Sequence, residues 1–75
     1  MSKQIKHTIE SDGSQAWTHP NSNASISRRA NGSFWCEDSS GHVYGFRGLG
    51  DNTRAPSDLR QLARRAARDL AQSAR

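Results

Sequence analysis

Cysteine is almost missing from this chain: Cys36 is the single one in 75 residues. One thiol cannot close an internal disulfide, so the fold must stand on packing alone, and a reducing cytoplasm is the expected compartment. Long apolar runs are missing too. Nothing approaches the roughly 20 apolar residues that cross a bilayer, and the polar start MSKQIKHTIESDG lacks the apolar segment of a signal peptide. No membrane is expected among the partners. Hydrophobic residues amount to only 32%, and mean hydropathy is −0.95. A core this small does not enclose a substrate chamber, so binding is expected on a face of one small domain, residues 1–75, near the lower size limit for a single core.

Catalytic and metal chemistry find little support. Cys36 with His7, His19 or His42 is the one available nucleophile–base combination, but Cys36 falls mid-strand among aromatics, and the Glu37 beside it disfavours a thiolate. The three histidines and the cysteine stand at wide, irregular intervals, with no pair at zinc-ligand spacing. The acids fall mostly in turns or at a helix start, so no carboxylate dyad is indicated. Gly41 to Gly50 is glycine-rich but has neither the Lys-Ser/Thr nor the strand–helix junction of a phosphate loop. No enzyme, cofactor or metal site is expected.

Hydrophobic alternation predicts short strands. In Lys3 to Glu10, Ile5, His7 and Ile9 share one face. Asp12-Gly13 marks a turn, and Ser14 to Thr18 is the expected return, ending near Trp17. Pro20-Asn21-Ser22-Asn23 breaks the chain. These segments make residues 1–23 an N-terminal strand and hairpin region. Residues 24–47 read as a three-stranded meander. Ala24, Ile26 and Arg28 share one face of its first strand, with Arg29 on the other. Asn31-Gly32 is the strongest two-residue hairpin signal, and Phe34 and Cys36 then oppose Trp35 and Glu37 across the next strand. Ser39-Ser40-Gly41 turns into the strand His42 to Arg47. No internal repeat is evident.

The last third, residues 57–75, reads as one amphipathic helix with Ser57 as N-cap or, alternatively, Pro56 as its first residue, and Asp58 suited to the dipole. Leu59, Leu62, Ala63, Ala66, Ala67, Leu70 and Ala74 fall within an arc of roughly 140° at 100° per residue. Arg60, Arg64, Arg68 and Arg75 gather within about 80° elsewhere on the helix, Arg65 stands apart and Asp69 borders the apolar arc. The predicted architecture is α+β: a small antiparallel sheet of three to five strands packed against one C-terminal amphipathic helix.

The formal charge is +4, from 11 Lys and Arg against 7 Asp and Glu. Most of the excess sits in the helix, where Arg60, Arg64 and Arg68 span about 12 Å. Guanidinium forks pair bidentately with phosphate or carboxylate, so a nucleic acid or an acidic protein surface is the expected partner. Against this stands the plainer reading that these arginines are solvated surface whose stems cover apolar area. The expected contact set is Arg60, Arg64, Arg68 and Arg75 on the helix with Arg28, Arg29, Arg47 and Trp35 on the strands. Oligomeric state is not legible, although an open edge strand can pair two copies.

The order strand, Asn-Gly turn, strand, Ser-Ser-Gly turn, strand, helix over residues 24–75 resembles the three-stranded sheet plus helix of integrase arm-binding domains. That resemblance implies a sheet set in the DNA major groove, with Arg28, Arg29, Trp35 and Arg47 as the matching residue types. In size, basic character and lack of catalytic motifs the chain is also similar to small phage and mobile-element inhibitors such as anti-CRISPR proteins. That similarity implies occupation of a surface on a host protein or nucleoprotein complex.

Overall fold

In a computed structural model, residues 4–44, 49 and 54–73 are described; Arg47 and Arg75 lie outside them. The described residues form five strands and one helix. Strands β1 (Lys6–Ile9), β2 (Gln15–Thr18), β3 (Ser25–Arg28), β4 (Phe34–Glu37) and β5 (Val43–Tyr44) pair antiparallel in chain order, and helix α1 runs Ser57–Ser73. The fold is α+β, and residues 6–18 extend the expected meander to five strands.

Three of the connections are the same turn. The first residue's N–H donates to the carbonyl four residues on, from Glu10 to Ser14 at 2.9 Å, Arg29 to Ser33 at 2.9 Å and Asp38 to His42 at 3.0 Å. A glycine N–H donates back to that first residue's carbonyl, and Gly13, Gly32 and Gly41 have φ of 94°, 91° and 90°. These are three-residue loops in which a left-handed glycine closes a tight turn. The expected two-residue turn at Asn31-Gly32 is therefore corrected. That geometry needs positive φ at Asn31 too, and no described non-glycine residue has it. Asn31 instead spends its Oδ1 on the Ser33 N–H and Oγ, as Asp12 does for Ser14 and Asp38 for Ser40. The first two turns share an Asx-Gly-Ser signature, whereas the third reaches the same backbone with Ser39-Ser40-Gly41 and takes its side-chain acceptor from Asp38.

Register follows from these turns. His7, Trp17, Ile26, Cys36 and Tyr44 stand in one row across all five strands. The middle three are fully buried. Leu59, Leu62, Ala63 and Ala66 of α1 cover them, and the small alanines let the helix sit close. Burying each large side chain is worth about 1.5–3 kcal/mol. The apolar arc is narrower than its sequence implies: Leu70 is half-buried, and Ala67, at the rim of the arc, is exposed. At the helix start the Pro56 carbonyl accepts the Arg60 N–H at 3.0 Å, so Ser57 is the first helical residue rather than the cap. Asp58 does the capping: its Oδ1 accepts the Leu59 N–H, and its Oδ2 accepts the Ser22 hydroxyl, tying the β2–β3 loop to the helix.

Candidate nucleic-acid interface

The helix lies on one face of the sheet only, and this separates the expected contact residues. Arg60, Arg64 and Arg68 are exposed on α1 away from its buried leucines, and Arg64 and Arg68 also border a groove beside Ile5. Among the described residues, no carboxylate lies within pairing distance of any of the three. They follow one another at four-residue steps, about 6 Å of rise each, and form a continuous cationic ridge.

Trp35 is on the opposite side of the molecule. Its cross-strand neighbour is Ser27, and the row continues through Ala16 to Thr8. Trp35 is 47% exposed on this open face. Lys6, Thr18, Ser25, Glu37 and Val43 form the neighbouring row, so the open face carries an acid as well as a base. Arg29 is exposed at the end of β3, where the turn begins. Arg28 shares the helix side with Ile26, half-buried beside Phe34, and so does not stand with Trp35. The sheet therefore does not gather Arg28, Arg29 and Trp35 on one reading surface.

Arg65 and Asp69 were not part of the expected set, and they organise the other flank of the helix. On a helical projection both lie between the ridge and the buried leucines, on the side that faces edge strand β1. Arg65 Nε donates to both Asp69 oxygens, at 3.2 and 3.0 Å. Asp69 Oδ2 also accepts the Trp17 indole N–H at 2.9 Å and lies 3.5 Å from His7 Nδ1. The His7 ring stacks on Trp17 with centroids 4.7 Å apart and planes 10° off parallel, and its Nε2 is 2.8 Å from Gln15 Oε1. Burial pushes the Asp69 carboxyl up, but the hydrogen bonds from Trp17 and Arg65 and the nearby positive charges outweigh it, and the group is held below the usual carboxylate range. The i,i+4 spacing of Arg65 and Asp69 signals a pair in the sequence; the Trp17 contact spans 52 residues and leaves no local sign.

Beside this cluster, a groove of about 400 Å³ is lined by Ile5, Gln61, Arg64, Arg65 and Arg68. It continues past Gln4, His19, Pro20 and Asn21, with Ile5, Gln61 and Arg65 common to both stretches. Cys36 offers no chemistry here: its thiol is fully buried, and burial pushes its pKa up to about 11, so it packs as a small apolar side chain. Among the described residues no group of three or more His, Cys, Asp or Glu is placed to hold a metal ion, and no helix is long and apolar enough to cross a membrane. Comparison with family models, curated proteins and solved structures finds no match for this chain.

Proposed function

We propose that this chain is a non-enzymatic binding module that holds a nucleic acid against the outer side of α1. One observation carries the reading. Arg60, Arg64 and Arg68 keep one line on the exposed helix side, and among the described residues none is neutralised by the chain's own acids. A solvated surface stripe whose only task is solubility needs no such alignment. A phosphate backbone does, because its charges come at a regular interval along a line. Contacts of this type position a protein on nucleic acid without reading its bases. The mixed charge of the open sheet face makes that face the poorer candidate for a polyanion.

The test is fluorescence anisotropy of a labelled DNA duplex titrated with protein across a series of salt concentrations. Three phosphate contacts give a slope of log affinity on log salt of about −3. Replacing Arg60, Arg64 and Arg68 together by Glu should remove binding while leaving the helical circular dichroism intact, since all three side chains point to solvent. A wild-type protein that binds neither the duplex nor a labelled single strand at low salt sinks the reading. So does recovery of a partner from nuclease-treated extract that competes with the duplex more strongly than unlabelled DNA does, which would favour an acidic protein surface.

A further inference from the structure

The geometry points to a phosphate subsite in the groove between Ile5, just ahead of edge strand β1, and helix α1, with the terminal nitrogens of Arg65 as its fixed donors and Arg64 and Arg68 as its walls. This rests on the polyanion reading and places one of its contacts where the ridge alone does not reach.

Arg65 bonds Asp69 through Nε, and among the described residues neither terminal nitrogen makes a hydrogen bond. The half of the guanidinium suited to bidentate recognition is therefore left for another acceptor. It is also held in place. Asp69 is pinned by the buried Trp17 indole, and Arg65 is pinned by Asp69. A side chain already ordered before binding loses less freedom when the ligand arrives. Arg60, by contrast, has no ion pair among the described residues.

The surroundings fit an oxyanion. Every charged side chain lining the groove is a cation, and Gln61 adds an amide that serves both stretches. Asp69 offsets one of the charges of Arg64, Arg65 and Arg68, which leaves a positive site. Arg64 and Arg68 border the ridge and the groove at once, so a chain carrying an anion at each repeat can pass from one to the other without a gap. A single-stranded phosphodiester backbone, narrow and flexible, suits that turn better than a duplex.

The experiment measures binding of a labelled 12-nucleotide oligothymidylate to wild-type protein and to the variants Arg65→Gln, Arg65→Lys and Arg60→Ala over a salt series. Arg65→Gln, which keeps a donor for Asp69, should weaken binding about tenfold and reduce the salt slope by about 0.7, the single-strand value for one phosphate contact. Arg65→Lys should recover the slope but not the full affinity, because an ammonium lacks the fork. Arg60→Ala should weaken binding by less than Arg65→Gln. If Arg65→Gln binds within twofold of wild type while Arg60→Ala is the weaker binder, the subsite is wrong and the ridge stands. If wild type does not bind at all, the polyanion reading itself has failed. Polyglutamate that displaces the oligonucleotide at equal charge concentration overturns the choice of phosphate over carboxylate. A readout free of substitution is the Arg65 Nε–Hε signal in the nitrogen–proton spectrum of wild type. It should shift on adding oligothymidylate, and a signal that stays put while the helix amides move also overturns the subsite.

Discussion

Trp17 and Trp35 are the same side chain in neighbouring hairpins, and they meet opposite fates. Trp17 is fully buried, stacked on His7 and bonded to Asp69, whereas Trp35 is 47% exposed above a row of Ser27, Ala16 and Thr8. Each follows the same turn. Trp17 is the fourth residue past its left-handed glycine, Gly13, and Trp35 is the third past Gly32. Strand side chains alternate, so a difference of one position sends the two indoles to opposite faces. The fourth residue past Gly32 is Cys36, which is fully buried like Trp17. In these two hairpins strand alternation, and not the size of the ring, separates the indoles; in the third the count from the glycine reverses, since Tyr44 is the third residue past Gly41 and stands in the row of Cys36.

The largest effect should come from emptying the buried position. Trp17→Ala removes the biggest core side chain and should cost about 3–5 kcal/mol, read by urea unfolding, which is enough to unfold a domain of this size. Trp35→Ala should cost less than about 1 kcal/mol in the same assay, as expected at a half-exposed site. Equal losses at the two positions would refute the contrast between a sealed and an open indole.

Breaking the polar contact while keeping the ring tests what holds Trp17 in place. Asp69→Ala leaves the buried indole N–H without its acceptor and should cost about 1–3 kcal/mol. The same carboxylate gives stability a pH dependence. Its folded pKa lies below the unfolded one, so its contribution is present above the unfolded value and is lost as pH falls through the folded one. Acid melts should show wild type losing stability below about pH 4, the ordinary range for an aspartate. Asp69→Asn should flatten that part of the profile.

Smaller still is the effect of the turn that joins β3 to β4. Gly32→Ala places a side chain at φ of 91° and should cost about 1–2 kcal/mol, seen as a lowered Tm, with no steric clash since the nearest atom is 3.8 Å away. The least disruptive probe leaves the fold intact: acrylamide should quench the fluorescence of Trp17→Phe protein, which retains Trp35, far more than that of Trp35→Phe protein. Comparable quenching in the two would place both indoles in the same environment.

Much of this was legible before the coordinates. The alternation in residues 5–9, the opposition of Phe34 and Cys36 to Trp35, and the Leu/Ala stripe of the helix each report local geometry, and local geometry is written in residue spacing. At Asn31-Gly32 the turn differs from the two-residue hairpin the sequence predicts because a side chain competes: Asn31 caps Ser33 and has no positive φ. Alternation already sets Arg28 opposite Arg29 and Phe34 opposite Trp35, but which of those faces the helix covers is decided by packing. Arg28 lies on the helix side and Trp35 on the other. Arg65 was set apart from the ridge by its angle alone. Its brace, Asp69, is a neighbour on the helix, but the reason Asp69 stays put is an indole far away in the chain.

By itself the sequence determined the elements, their order and the cationic line along α1, since these depend on neighbours within a turn of helix or a pair of strand positions. The tertiary structure alone decided which tryptophan is sealed, which arginines share a surface, and that Asp69 holds Arg65 in place. Those outcomes depend on register and on contacts between residues dozens of positions apart, and no short window of residues contains them.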